Sequence, residues 1–385
     1  MSRSQTSLVV EGWRGVNHSF AIVNQFQLLE MSKLSNLNLK HTDTPFPFGH
    51  WSKESNGAGF HPADEATLKS IEAPLLGWTP DWTYRIFSAF DLRPPPAAGR
   101  LAVFLVTELG LDEDSFVSGS DIREFESAGN IVFTPSNWSR ARIIDWGFQP
   151  ETVRVVPHAA SAEYFFPLQG ETIRDQRKAL GIQPEETVLL NIGAAIWNKG
   201  IDVLLEGFAL ARQTRKDLRL MFKDQRNTYG ISGEGFVQTT LSNAGLLTND
   251  VLNAITLIPA NLSMDQMNAM YGVADCYVSP YRAEGFNLPV LEAMTCGTPV
   301  IVTSGGATDD FIQTGSSRTI EAKPFFNQLV QNKEVSGYRE PSRDHLIQLL
   351  LETSPKTLDL TPSTLDKGSP VGWGPVVNDL LSQLM

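Results

Sequence analysis

The amino-acid sequence predicts an α/β fold that contains parallel strands joined by a helix. The chain has 385 residues, which is enough for two domains of ordinary size. Short apolar runs at 274–278 and 298–303 flank a helical segment, which is the pattern of parallel strands joined by a crossover helix. Pro289 suits the first helical position, where its missing N–H costs nothing. Gly297 suits the left-handed position that follows a helix.

The loop before this helix has the composition of an anion site. Residues 284–288 read Glu-Gly-Phe-Asn-Leu, and the backbone N–H groups at a helix N-terminus attract a phosphate or a carboxylate. Glu284 follows the predicted strand at the edge where open α/β sheets bind ligands, and Glu292 lies about one turn inside the helix. A carboxylate there can accept hydrogen bonds from ribose hydroxyls. Two carboxylates beside a phosphate site predict a sugar nucleotide as the ligand.

The eighteen residues from Glu284 to Ile301 resemble the donor-site signature of retaining glycosyltransferases of family 4, the group 1 type, which have the GT-B fold. An ordinary buried strand–helix–strand unit would explain the apolar residues, but not the loop Gly-Phe-Asn-Leu-Pro. The resemblance implies two Rossmann-like domains facing across a cleft. It also implies transfer of a hexosyl group from a nucleoside diphosphate sugar to an unknown hydroxyl acceptor, with retained configuration and without a cofactor or a metal.

The same resemblance divides the chain into four parts. Residues 1–165 are the predicted acceptor-binding domain, and 166–182 are a linker. Residues 183–365 are the predicted nucleotide-sugar-binding domain, and 366–385 form a terminal helix that returns to the N-terminal domain. We expect irregular structure at 40–96, and a helix with polar loops at 322–368.

Lysines of the second domain are predicted to stabilise the leaving phosphate. Lys199 and Gly200 resemble the Lys-Gly motif of the family, in which the lysine contacts the donor pyrophosphate. Relatives usually carry an arginine where this chain has Ala194. We hypothesise that Lys223, at the carboxyl end of the predicted strand 218–223, replaces that arginine; a solvated lysine is the alternative reading.

Other candidates lie in the loops of both domains. The catalytic candidates are Lys199, Glu284, Lys223 and His18. The resemblance implies donor-binding roles for Gly15, Asn17, Gly193, Asn261, Gly285, Phe286, Asn287, Leu288 and Glu292. The acceptor-binding candidates are His41, Asp43, Trp51, Glu108 and His158.

Several candidates keep a simpler reading. His18 follows the first predicted strand and is either a site residue or a capping or surface residue. Glu108 stands where many relatives have a histidine, and either binds the acceptor or caps a helix. His158 precedes the predicted hinge and is either a site residue or a packing residue.

Composition excludes some classes of function. The formal net charge is −12 without a basic run, which argues against a nucleic-acid groove. The first residues lack an apolar signal core, and no run reaches the length of a membrane span, so we expect a cytoplasmic protein. Cys276 and Cys296 are expected in the core rather than in a disulfide. The histidines at 41, 50 and 61 lack the spacing of a zinc site.

Two other function classes remain open. Ala194 and the missing histidine fit a sugar-nucleotide-binding protein that has lost turnover. A GT-B relative of another reaction type, such as a phosphorylase or an epimerase, is the third reading. The pairing of Lys199-Gly200 with the two glutamates argues against that third class.

Overall fold

The computed structural model describes residues 5–52, 59–95, 99–312, 315, 317–326, 328–330, 333–356 and 372–384. These residues form two compact units. The first comprises the residues up to Ser161, a short segment ending at Ser336 and the last helix of the chain. The second comprises most of the chain from Ala162 onward.

The first unit is built on a parallel sheet. Its strands are β1 (Thr6–Gly12), β2 (Leu37–Asp43), β3 (Trp82–Ile86), β4 (Arg100–Phe104), β5 (Ile131–Thr134) and β6 (Val153–Val155). Their order is β2-β1-β3-β4-β5-β6, which resembles the flavodoxin-like order and puts the switch point between β1 and β3. Its helices are α1 (Ser19–Ser32), α2 (Pro62–Ser70), α3 (Ile122–Ser127) and α4 (Asn137–Trp146).

The second unit has a six-stranded parallel sheet of its own. Its strands are β7 (Thr187–Ile192), β8 (Leu218–Lys223), β9 (Ile255–Ile258), β10 (Cys276–Ser279), β11 (Val300–Thr303) and β12 (Ser317–Ile320). The order β12-β11-β10-β7-β8-β9 is the Rossmann order, whose switch point lies between β7 and β10. Its first helices are α5 (Gly170–Ala179), α6 (Ile201–Thr214), α7 (Arg226–Tyr229), α8 (Gly233–Asn243), α9 (Asn249–Asn253), α10 (Met264–Val273) and α11 (Leu288–Thr295).

Helix α6 shows why these segments fold as they do. Its buried residues include Ile201, Leu204, Leu205 and Phe208, which recur at the spacing of one helical face. That face packs with β7 and β8, whose residues are buried except for the partly buried Arg219, in the core of the second unit. The apolar runs at 274–278 and 298–303 correspond to β10 and β11, which are interior strands of the sheet, and the α/β class is confirmed.

The region after β12 differs from the expected helix with polar loops. It contains the strands β13 (Ala322–Phe325), β14 (Gln328–Val330), β15 (Lys333–Val335) and β16 (Tyr338–Pro341), followed by helix α12 (Arg343–Leu351). β13 and β16 pair antiparallel; each has only four residues, contains a proline and is interrupted by charged residues, so both lack the apolar signal of a buried strand. The expectation of polar loops up to 368 lies partly outside the described residues.

The expectation of irregular structure at 40–96 is also wrong in part. Residues 40–43 belong to β2, which pairs with β1 over seven positions, and helix α2 follows. The strand β2 was missed because its side chains alternate between polar and apolar only weakly. The predicted linker 166–182 contains α5, and the last helix is α13 (Trp373–Leu384); residues 366–371 lie outside the described residues.

Candidate functional site

The switch point of the second unit brings two loops together. The loop 193–200 follows β7, and the loop 280–287 follows β10. Because β7 and β10 are parallel neighbours, both loops leave the sheet at its carboxyl edge, where open α/β sheets bind ligands. Asn191 ties the two strands further, since its Nδ2 atom donates to the Val278 carbonyl at 2.7 Å.

Lys199 and Glu284 meet between these loops. The Lys199 Nζ atom lies 2.8 Å from Glu284 Oε2. The Lys199 side chain is 22% exposed and that of Glu284 is 9% exposed, so the pair is partly shielded from water. Two residues that the sequence analysis placed in the catalytic group, 85 positions apart, are thus in direct contact.

Gly200 allows the two loops to approach closely. Its φ is 66°, in the left-handed region. A Cβ atom at this position would lie 1.9 Å from the Pro280 carbonyl oxygen. The glycine of the Lys-Gly pair is therefore required both by its backbone conformation and by the contact with the second loop.

The loop after β10 ends in a helix start shaped by local sequence. Asn287 has φ 77°, a region that asparagine tolerates better than other residues with side chains, and its Nδ2 atom donates to Ser279 Oγ at 3.0 Å. Leu288 begins α11, and Pro289 is its second residue, one position later than predicted. Phe286 stacks on Phe311 with ring centroids 4.8 Å apart. Gly285 lies between Glu284 and Phe286. The contacts of Phe286 and Asn287 fix the backbone that leads from this predicted phosphate loop into α11.

Glu292 lies inside α11 and is 9% exposed. Tyr271 donates its O–H to Glu292 Oε2 at 2.6 Å. Burial raises the pKa of the Glu292 carboxyl from 4.5 to about 7, and the hydrogen bond from Tyr271 limits this rise because it favours the ionised form. This carboxyl therefore changes its charge near neutral pH.

The region predicted to replace the missing arginine is buried. Ala194 is 2% exposed, and so is Lys223. The Lys223 Nζ atom donates to the Asp224 carbonyl at 2.7 Å, and burial lowers the pKa of the lysine despite the nearby Asp224 carboxylate. Gly193 N–H donates to the Lys223 carbonyl at 3.1 Å, so the backbone of Lys223 adjoins the start of the first donor loop. The alternative of a solvated lysine is wrong.

Asn261 precedes α10, away from the ion pair along the sheet edge. Its Oδ1 atom accepts a hydrogen bond from Asn227 Nδ2 at 3.4 Å, and its side chain is partly exposed. Its predicted donor contact stays a prediction.

In the first unit, the loop after β1 surrounds His18 with aromatic rings. Gly15 has φ 77°, and its N–H donates to Gln25 Oε1 at 3.0 Å. His18 Nδ1 accepts the N–H of Phe20 at 3.3 Å and so caps α1. The His18 ring lies 5.1 Å from the ring of Trp51, which is 6% exposed. The capping reading of His18 therefore holds, beside any role in the site. Asn17 is partly exposed in the same loop.

The remaining acceptor candidates take different positions in the first unit. His41 is 1% exposed, and its Nε2 atom lies 3.1 Å from Asn24 Nδ2. Asp43 accepts two hydrogen bonds from the Arg14 guanidinium, at 2.9 and 3.0 Å. These contacts explain the side-chain positions without a ligand, and the acceptor roles stay predictions.

For Glu108 and His158, the structure tests the alternative roles of helix capping and packing. No helix begins directly after Glu108; the next helical turn is capped by Asp112, so the capping reading of Glu108 is wrong. His158 is 5% exposed and packs against the rings of Phe104 and Trp373, at 5.4 and 5.9 Å. Burial lowers the pKa of His158 to about 3, which keeps the ring neutral and matches its packing reading.

Two residues of the β10 loop were missed by the sequence analysis. The Tyr281 hydroxyl lies 2.7 Å from Thr308 Oγ1, and a Cβ on Gly306 would lie 2.4 Å from that hydroxyl. Arg282 reaches in another direction, to Asp202 at the start of α6 and to Glu340 on β16. In the sequence, only their position between the end of β10 and Glu284 indicates a role in the site. All of their side-chain partners are distant in the sequence.

The match to a known protein family lies within the second unit and its neighbouring residues. Residues 172–331 match the family described as glycosyl transferases group 1. A D-inositol 3-phosphate glycosyltransferase of Segniliparus rotundus is 30% identical over 41% of this chain and 33% of its own. The mannosylfructose-phosphate synthase of Agrobacterium fabrum is 26% identical over 52% of this chain and 43% of its own. The chain thus matches less than half the length of these relatives.

Solved structures cover nearly the whole chain. Anabaena Alr3699/HepE, in complex with UDP and glucose, has a TM-score of 0.63 at 13% identity and covers 98% of both chains. Sucrose-phosphate synthase from Thermosynechococcus elongatus has a TM-score of 0.61 at 15% identity, covering 98% of this chain and 99% of its own. The protein has the GT-B fold. The family match and the curated relatives show that the second unit is similar to group 1 glycosyl transferases. Among the described residues of this GT-B protein, no helix has both the length and the apolar character needed to cross a bilayer.

Proposed function

We propose that this protein is a retaining glycosyltransferase of family 4 that moves a hexosyl group from a nucleoside diphosphate sugar to a hydroxyl acceptor. The observation that carries the proposal is the contact between Lys199 and Glu284 at the switch point of the second unit. It joins a cation, a carboxylate and the start of α11 at one sheet edge. The structural similarity to a protein in complex with UDP and glucose supports this class of donor.

Each group has a role in the proposed reaction. The leaving nucleoside diphosphate gains negative charge as the glycosidic bond breaks, and Lys199 and the N-terminus of α11 stabilise that charge. Glu284 orients the sugar, and Glu292 accepts hydrogen bonds from the ribose hydroxyls. The acceptor hydroxyl attacks the anomeric carbon on the face that the phosphate leaves, and the departing phosphate oxygen takes its proton.

We further propose that the reaction needs neither a metal nor a cofactor. A divalent cation would neutralise the leaving diphosphate, and here lysine and the helix dipole supply that charge. The test is turnover in the presence of EDTA. Loss of activity in EDTA and its return with magnesium or manganese would refute metal independence without touching the assignment of the fold.

Donor binding can be tested by thermal stability with UDP, GDP and ADP and their glucose or mannose conjugates, all without metal. A ligand at about 100 times its dissociation constant adds roughly 2.7 kcal/mol to the free energy of unfolding. We expect a shift with one base, and NMR of the product should then show the anomeric configuration of the donor. Inversion would refute the retaining mechanism, and no shift with any nucleotide would refute the donor class.

A sugar-nucleotide-binding protein without turnover is the second candidate. Ala194 favours it, because this buried alanine stands where relatives of the family supply a cation. The two candidates differ in one measurement. Nucleotide binding at micromolar concentration, with no transfer to any acceptor and no hydrolysis of the donor, would favour the binding protein.

A further inference from the structure

We propose that Arg282 is a positioning residue that holds Lys199 in place for the donor diphosphate. The proposal rests on the proposed function and adds a residue to its machinery. Arg282 lies two residues before Glu284 in the loop after β10 and is 5% exposed. Its hydrogen bonds reach the backbone of the other donor loop at Trp197 and Asn198, so its influence on Lys199 passes through that backbone.

The guanidinium of Arg282 donates five hydrogen bonds, one for each of its N–H hydrogens. Two go to Asp202, both at 2.8 Å, and two go to Glu340, at 2.8 and 3.0 Å. The fifth goes from Nη1 to the carbonyl of Trp197 at 2.9 Å. Bidentate bonds to two carboxylates fix the plane of the guanidinium group. In this orientation the remaining N–H points at the Trp197 carbonyl in the Lys199 loop.

The main chain of the β10 loop also bonds to the Lys199 loop. The N–H of Arg282 donates to the Asn198 carbonyl at 2.7 Å, and the N–H of Ala283 donates to it at 3.2 Å. Both carbonyls that precede Lys199, those of Trp197 and Asn198, are therefore held by the β10 loop. On the other side of Lys199, Gly200 lies against the Pro280 carbonyl.

A ring contact adds to the same link. The Arg282 Cζ atom lies 4.8 Å from the centre of the Trp197 ring, within the range of a cation–π interaction. The hydrogen bonds to Asp202 and Glu340 outweigh burial and raise the pKa of Arg282, so its charge is permanent. The backbone of Lys199 is thus anchored to a charged group that is itself held by two carboxylates.

Lysine cannot reproduce this network, because an ammonium has three donors and no planar fork. Arg282→Lys therefore keeps the charge but loses the bond to the Trp197 carbonyl. Arg212→Lys is the matched control, since Arg212 in the last turn of α6 is 13% exposed, pairs with Asp250 at 3.1 Å and donates to the Lys216 and Leu218 carbonyls, at the end of α6 opposite to the Lys199 loop. We expect Arg282→Lys to weaken UDP binding about tenfold and Arg212→Lys to leave it unchanged.

A double-mutant cycle separates positioning from general destabilisation. UDP affinity is measured by calorimetry for Arg282→Lys in the wild-type, Lys199→Met and Glu292→Gln backgrounds, with the melting temperature of every variant. If Arg282 acts through Lys199, its effect on UDP disappears in Lys199→Met and persists in Glu292→Gln. An equal loss in all three backgrounds, or no loss in the wild-type background, would overturn the positioning role.

Glu340→Gln provides the second variant, because it keeps one oxygen acceptor for Arg282 and removes the charge and the second acceptor. It should show the same dependence on Lys199 with a smaller loss, and it decides the question if Arg282→Lys does not fold. Additivity of Glu340→Gln with Lys199→Met would then overturn the proposal. Wild-type protein that binds none of UDP, GDP and ADP would refute the proposed function and this inference together, whereas normal UDP binding by Arg282→Lys refutes the inference alone.

Discussion

The Lys199 Nζ atom lies 2.8 Å from Glu284 Oε2, and this ion pair joins the loops that follow β7 and β10. The carboxylate is the more buried partner, so it holds the ammonium in one place within the second unit. An ammonium has three N–H donors, and Lys199 can therefore keep this contact while it donates to a phosphate oxygen. Its removal should affect both donor binding and the leaving group.

Lys199→Met is expected to lower turnover about 100-fold, the effect of removing one donor to a developing negative charge. The physical reason is that methionine keeps the length of the side chain and loses its charge. Lys216→Met is the control, because Lys216 is 63% exposed and pairs with Asp250. Steady-state rates with the identified donor make the comparison, and turnover within twofold of the wild type would remove Lys199 from the mechanism.

Lys223→Met tests whether this buried lysine replaces the arginine missing at Ala194. We expect UDP affinity to fall about tenfold, because methionine has a similar volume but lacks the charge and the hydrogen bond to the Asp224 carbonyl. Calorimetric titration with UDP measures the effect. Lys223→Ala should also lose turnover, and full turnover in either variant would show that the hydrogen bond to the Asp224 carbonyl serves the fold alone.

UDP affinity is expected to rise with pH through the titration of Glu292. Its pKa of about 7 means that the ionised fraction, the better acceptor for ribose hydroxyls, rises about tenfold between pH 6 and pH 8. Glu292→Gln should lack this rise and retain only the titration of UDP itself. Tyr271→Phe removes the donor that favours the ionised form, so the rise should move to higher pH. The same dependence of UDP affinity on pH in the wild type and in Glu292→Gln would contradict the proposed contact between Glu292 and the ribose hydroxyls.

The free energy of unfolding should change with pH in the opposite direction, because ionisation of Glu292 lowers the stability of the folded chain. A pKa raised from 4.5 in the unfolded chain to about 7 in the folded one contributes stability below pH 4.5 that is lost as the pH rises through 7. The shift corresponds to about 3 kcal/mol as an upper bound. Glu292→Gln should therefore melt at a higher temperature than wild type at pH 8, with little difference near pH 4.5. Equal melting temperatures at pH 8 would mean that burial does not penalise the charge.

Gly200→Ala should disrupt the site, whereas Gly230→Ala should cost little. Both glycines are left-handed, with φ of 66° and 70°, and alanine in that conformation costs about 1–2 kcal/mol. An added Cβ at Gly230 would meet no described atom within 4 Å, but at Gly200 it would lie 1.9 Å from the Pro280 oxygen. Melting temperature and UDP titration give the comparison. Similar losses in both variants would show that backbone strain, and not the contact between loops, is what requires Gly200.

Local sequence was sufficient for the parts of the site that depend on local physics. Left-handed Gly297 follows α11 as predicted, and Pro289 lies in the first turn, one position later than predicted. Parallel strands buried on both faces have continuous apolar runs, and β8 accordingly has its predicted bounds, Leu218–Lys223. Such features depend on residues within about one turn of each other.

What sequence could not predict depends on distant partners. Nothing near Arg282 in the chain indicates that Asp202 and Glu340 will surround it. β16, which carries Glu340, has a polar sequence whose pairing with β13 replaces the burial that an apolar strand would signal. His158 and Glu108 show the same limit, since the packing of one and the irregular chain after the other follow from tertiary contacts.

The partners of Arg282 also set an order of events during folding. Asp202 precedes it by 80 positions and Glu340 follows it by 58, and chains emerge from the ribosome N-terminus first. When β7 to β10 have been synthesised, the guanidinium has only one of its two carboxylates within the nascent chain. The main-chain bonds to Asn198 and the bonds to Asp202 can form as soon as the β10 loop exists, whereas the bonds to Glu340 must wait until residue 340 has been made. The full set of hydrogen bonds around Arg282 is therefore completed only after the residues of all the strands from β7 to β15 have been synthesised.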